Sequence, residues 1–235
     1  MTGTPLLLRT TVVAALAVCG VLTVVSVLLM PDFGGTMVER LEAVAEAGTA
    51  ASVSAFGFTL SQLPFAVGAL GVAHLLRGRT PVLAALAGLL MLLGAFGHAV
   101  YGGVGLTMLA MADDEQHHAV HAQILTAGER SPAMLPFLAV GVLGTVLGMI
   151  LLAVALWRGR LGPRWLPVAL VTFVLVEFGG AGLSRWAGYT AMLMFLVVFL
   201  ALAVVVHRSS LAHWHTAAEA VQVDVQGASR SVSGP

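Results

Sequence analysis

The residues of this chain best suited to chemistry lie between Gly94 and His121, in the stretch GAFGHAVYGGVGLTMLAMADDEQHHAVH. A histidine and a tyrosine, His98 and Tyr101, ride inside an apolar run that then emerges into an acidic, histidine-rich segment. An ionisable side chain inside a membrane span is costly, so it marks a functional site by default. Far along the chain, Glu177 interrupts a second apolar run in the same way. Glu177 and His98 make a natural pair, because a carboxyl group in lipid needs a partner or a proton.

Depth can be counted from the basic or proline ends of each run, at about 1.5 Å per helical residue. His98 lies 17 residues beyond Pro81, Glu177 14 beyond Pro163, and Thr23 14 beyond Arg9. Gln62 lies 15 before Arg77, and Thr145 13 before Arg158. All five come out roughly 20–25 Å above the arginine ends, in the outer half of a core about 30 Å thick. If they face one another, they form a belt around a polar cavity. Gly94, Tyr101, Gly102 and Gly105 share the His98 face at helical spacing, which leaves room for close packing or for a ligand. Pro64, just past Gln62, is expected to kink its helix at that depth. The cavity candidates are therefore Gln62, His98, Tyr101, Thr145 and Glu177. The same spacing suits a hydrogen-bond cluster that only pins helices together, a solute or ion site, or an acid–base pair.

A second group is His117, His118, His121 and Asp114. Two histidines four apart share a helix face and can hold a divalent metal, although a stable site wants a third or fourth ligand. Met30, Met37, Met108, Met111, Met134, Met192 and Met194 fall towards the same side, and thioethers favour Cu(I). Methionine is equally a gap-filler of apolar cores. Haem ligation would need two histidines at one depth, whereas His74 and His207 lie at the arginine ends as interfacial residues. No phosphate loop, Ser–His–Asp arrangement or HExxH spacing appears. No catalytic residue is assigned, and no cofactor beyond that divalent metal is implied.

The elements that must position these residues are membrane helices. The chain has 235 residues, 59% hydrophobic and only 9% charged, where a soluble domain carries about a quarter charged residues. Zero net charge offers nothing to nucleic acid; the lipid bilayer is the expected partner. Six runs, at 7–30, 52–76, 82–111, 134–157, 165–184 and 188–207, reach the roughly 20 residues that a crossing needs. With the N-terminus inside, Arg9, Arg77, Arg79, Arg158, Arg160, Arg164, Arg208 and Arg230 are cytoplasmic, and only Arg40, Arg130 and Arg185 are outside. That bias satisfies the positive-inside rule. The expected fold is all-α: a polytopic bundle of six spans, N-in and C-in, in the cell membrane.

Two inner turns look alike, LLRGRTP at 75–81 and LWRGRLGP at 156–163. In each, arginines can reach the headgroups, Gly permits a tight turn, and Pro opens the next helix where its missing N–H costs nothing. Trp157 and Trp165 belong at the inner interface. The stretch GMILLAVALWRGRLGPRWL at 148–166 resembles a broad set of small multi-pass membrane proteins of high-GC Gram-positive bacteria. The resemblance implies a six-helix membrane fold and no particular activity.

The outer loops carry two short helices. Residues 36–47 place Met37, Val38, Leu41, Val44 and Ala45 on one face. Residues 113–127 form the other, with Asp113 as cap, Gln116 completing a capping-box spacing and Gly128 as stop. The fifth connection, around 184–188, is short. Residues 1–208 form the transmembrane domain. Residues 209–235 form a largely disordered cytoplasmic tail whose start rests on the membrane through Leu211, Trp214 and Val221. Cys19, the sole cysteine, lies in the first run, so no intramolecular disulfide forms. Val18 breaks the lipoprotein box that LAVCG suggests, and the run is too long for a signal peptide.

Overall fold

The structure, a computed structural model, describes residues 3–180 and 184–214. It is all-α, with no strand among the described residues. Six long helices carry the apolar runs: α1 (Gly3–Leu28), α3 (Thr49–Leu76), α4 (Pro81–Ala112), α6 (Leu135–Gly159), α7 (Trp165–Gly180) and α8 (Arg185–His207). Two shorter ones, α2 (Met37–Ala47) and α5 (His118–Glu129), fill the connections after α1 and α4. Five of the long helices are long and apolar enough to cross a membrane. The sixth is shorter: α7 has 16 residues, about 24 Å of helix. Its expected continuation to 184 runs into residues 181–183, outside the described ones. The short loop expected at 184–188 is largely helix, because Ser184 caps α8 by accepting from the Trp186 N–H at 3.2 Å.

Each long helix packs on the next, and α8 closes back on α1. The six therefore form a closed ring in the order α1, α3, α4, α6, α7, α8. Small residues permit the closest approach. At Gly97 of α4 an added Cβ would lie 2.4 Å from the Gly141 nitrogen of α6, and at Gly144 one would lie 2.7 Å from the Gly94 nitrogen. Two helix backbones in contact gain dispersion energy without any hydrophobic drive, which is how helices associate in lipid. The outward faces carry Leu7, Leu63, Val82 and Leu175, all strongly exposed and apolar as lipid requires.

One end of the ring gathers the arginines. Arg9 Nη1 donates to the Ser209 carbonyl at 3.1 Å, and Arg79 Nη1 donates to the Gly159 carbonyl at 2.8 Å. The two similar turns thus brace each other, and Arg79 holds a helix end instead of reaching out to headgroups. Their geometry differs too: the left-handed residues are Arg160 and Gly162, while Gly78 and Gly159 keep negative φ. Trp214 does not lie on the membrane. It is buried, stacks on His74 at 5.4 Å and donates from Nε1 to Ser209 Oγ at 2.8 Å. The His213 carbonyl accepts from His74 Nε2 at 2.9 Å. The chain up to Trp214 is therefore part of the bundle. Val221 and the rest of the expected tail lie outside the described residues.

The opposite end carries α2 and α5, which pack on each other and on the adjoining ends of α3 and α4. Leu41, Val44, Ala51, Ala112, Ala122 and Leu125 form a second small core there, with Met37, Val38 and Ala45 against it. The expected apolar face of α2 is the buried one. The residue that starts α2 was not anticipated: Thr36 and Glu39 make a capping box, in which Glu39 Oε2 accepts the Thr36 N–H at 2.6 Å and Thr36 Oγ1 accepts the Glu39 N–H at 3.3 Å. The box expected at Asp113 and Gln116 is absent. Asp113 instead ends α4, a single 3-10 turn covers Glu115–His117, and α5 starts at His118 and runs past Gly128.

Candidate functional site

Inside the ring, the large core fills the section nearest the arginine end, through Leu16, Val72, Leu76, Leu156, Leu202 and Val206 among others. Beyond Phe65 and Phe195 this packing gives way to a cavity of about 160 Å3. All six long helices line it. Cys19, Thr23 and Val27 come from α1, Phe58, Ser61, Gln62 and Phe65 from α3, and His98 from α4. Thr145 and Met149 come from α6, Phe173, Glu177 and Phe178 from α7, and Met192 and Phe195 from α8.

The five polar residues matched in depth thus meet on one cavity wall. The close α4–α6 seam sets two of them. An added Cβ at Gly94 would strike Thr145 Oγ1, and one at Gly141 would lie 3.2 Å from the His98 nitrogen. His98 is held edge-on by Phe58, with ring centroids 6.0 Å apart and planes at 89°. Gln62 is positioned within α3, its Nε2 donating to the Phe58 carbonyl and to Ser61 Oγ at 3.0 Å each. Pro64 completes that local geometry: it has no N–H to give the Leu60 carbonyl one turn back.

Much of the polar capacity is unspent. Thr145 is 6% exposed, and its Oγ1 is buried without a hydrogen-bond partner. No direct bond links His98 to Glu177, and neither side chain has a hydrogen bond or ion pair among the described residues. The expected pair is thus two groups facing a shared space, not a contact. Tyr101 does not belong to the site: it is half exposed and does not line the cavity. Three residues turn a helix by about 300°, so Tyr101 lies some 60° off the His98 direction. Gly102 packs against Thr59 of α3, and Gly105 faces open space. Ser61, Cys19 and the phenylalanines were missed. Cys19 and Ser61 flank Thr23 and Gln62 at spacings of four and one, a signal the depth count ignored.

The histidine group is a different arrangement from a metal centre. His117 Nδ1 lies 2.9 Å from Asp114 Oδ1, and His121 Nε2 lies 3.2 Å from Asp114 Oδ2. His118 turns away, buried, with its Nε2 2.9 Å from the Ala112 carbonyl. Among the described residues, no three His, Cys, Asp or Glu side chains are placed to hold a metal ion. Met37, Met108 and Met111 pack in the second small core. The histidines fasten the connection between α4 and α5 instead.

That fastening carries a pH dependence. The hydrogen bond from His117, then that from His121, hold the Asp114 carboxyl below its ordinary range, and the Thr36 N–H does the same for Glu39. A depressed carboxyl pKa stabilises the fold above the unfolded value and ceases to do so as the pH falls through the folded one. Amide exchange at 36–40 and 114–121, corrected for intrinsic rate, should therefore rise as pH falls below about 4. Protection unchanged well below that pH would show that neither carboxylate contributes.

No family model, curated protein or solved structure matches this chain. The site is read from its own geometry.

Proposed function

We propose that this chain is a six-pass protein of the cytoplasmic membrane, with both termini inside, that binds a small polar solute or ion within its ring, as a transporter-like protein does. One observation carries the reading. Polar side chains from five helices converge on a single cavity, yet leave buried capacity unused, with Thr145 Oγ1 as the clearest case. A cluster built only to pin helices would spend its donors and acceptors on one another, because an unmet buried polar group costs about 1–3 kcal/mol. A site built for a ligand keeps them free. The cavity holds about five waters at roughly 30 Å3 each, so the solute is small.

The orientation rests on charge. Arg9, Arg79 and Arg208 meet at one end of the ring, which the positive-inside rule places in the cytoplasm. The acidic connections around α2 and α5 then face outwards. The belt lies between about half and four fifths of the way along its helices from their arginine ends, at positions 62, 98, 145, 177 and 23.

Single cysteines in a Cys19→Ala background test both parts. Arg40→Cys and Glu115→Cys should react with an impermeant thiol reagent in intact cells, while Gly78→Cys and Arg160→Cys should react only after permeabilisation. Gln62→Cys, on the cavity wall, should react with a small hydrophilic reagent from outside, and Leu70→Cys, on the lipid face, should not. Labelling of 78 or 160 in intact cells reverses the orientation. Gln62→Cys as inert as Leu70→Cys removes the water-accessible cavity.

A further inference from the structure

The make-up of the cavity wall says more than that it is polar. Among the described residues that line the cavity, Glu177 is the one carboxyl group, there is no Arg or Lys, and five phenylalanines join from three helices. We infer that the solute is a small organic cation, an ammonium ion of about five to seven heavy atoms, held between the Glu177 carboxylate and the rings of Phe58, Phe65 and Phe173.

This rests on the solute-binding reading above and narrows it. Three observations converge. Glu177 has no counter-charge among the described residues. Glu177 is half-buried, and a carboxylate drawn out of water is costly unless paired; a cation entering the cavity supplies a counter-charge that no described residue supplies. The aromatic residues fit the same partner, because a ring face is electron-rich and attracts an ammonium more strongly once water is excluded. The volume fits as well: about 160 Å3 is close to a protein cavity of about 150 Å3 that accepts a six-carbon ring. A bare metal cation is a poorer match. Calcium, for one, takes six to eight oxygens, whereas most of this wall is ring, thioether and methyl. Among the described lining residues, an anion meets a carboxyl group and no basic side chain apart from the His98 imidazole.

Three isosteres separate the charge from the shape: tetramethylammonium, tert-butanol and trimethylacetate, titrated calorimetrically into the full-length protein in lipid nanodiscs. Tetramethylammonium should bind at least about tenfold more tightly than tert-butanol, a difference of about 1.4 kcal/mol, and trimethylacetate should bind most weakly. Glu177→Gln, which keeps the volume, should remove that tenfold preference and leave tert-butanol unchanged. Phe58→Leu should weaken tetramethylammonium more than tert-butanol, which covers the case in which Glu177→Gln fails to fold. Tert-butanol binding as tightly as tetramethylammonium, or a preference unchanged in Glu177→Gln, would overturn the cation and leave the solute cavity standing. Failure of all three ligands to bind would overturn both.

Discussion

Gly97→Ala should cost about 1–3 kcal/mol of stability in detergent, while Gly103→Ala, further along the same helix, should add about 0.4–1 kcal/mol. Both changes replace a helix-interior glycine with a better helix former, worth about 0.8–1 kcal/mol in isolation. The difference lies in what the new methyl meets. At Gly97 it would lie 2.4 Å from the Gly141 nitrogen and 2.5 Å from the Phe137 carbonyl oxygen, both backbone atoms of α6 that no rotamer change can move. At Gly103 nothing lies within 4 Å. The first helix pair must therefore separate, and the second gains only from a stiffer unfolded chain. Separation also carries the Thr145 wall away from His98, so ligand binding should fall together with stability. Gly144→Ala should share the sign of Gly97→Ala, since its methyl would lie 2.7 Å from the Leu90 carbonyl oxygen. Equal gains at 97 and 103, read from denaturation midpoints, would mean that α4 and α6 are not in backbone contact.

That seam marks where sequence reasoning runs out. Long apolar runs, arginine-rich turns and the amphipathic face of Met37–Ala47 are local patterns, and each implies a helix or turn that is present, although only five of the six long helices reach spanning length. Depth is local too, since it needs only a count from a helix end. This is why Thr23, Gln62, His98, Thr145 and Glu177 could be matched before any contact was known. Rotation about the helix axis is not local. Tyr101 and His98 differ by less than one turn, yet one meets the exterior and the other the cavity, and only the neighbours decide which. His118 repeats the point, turning inward while His117 and His121 bind Asp114. The small-residue spacing of Gly144 and Gly148 was a readable sign of close packing that a search for chemistry passes over. Closure of α8 on α1 has no sequence signature, because it joins the two ends of the described chain.

The two readings of the belt diverge most at Glu177. Were it a structural anchor, removing it would strip a partner from another buried group, which for an ionised pair costs about 3–5 kcal/mol. Glu177, however, has no hydrogen bond or ion pair among the described residues, and its removal orphans none of them. Leucine has similar volume and no polar atom to desolvate. Glu177 is half-buried, and replacing an unmet polar group with an apolar one of the same shape ranges from neutral to stabilising as burial increases. A polar group kept at the expense of stability is what a ligand site looks like. The most direct measurement is the denaturation midpoint of Glu177→Leu against the wild type, both ligand-free in the same detergent. The expected result is a midpoint unchanged or raised, equivalent to a gain of up to about 3 kcal/mol in unfolding free energy, with tetramethylammonium binding lost. A loss of about 3 kcal/mol or more would contradict it, and would make the belt a structural element of the ring.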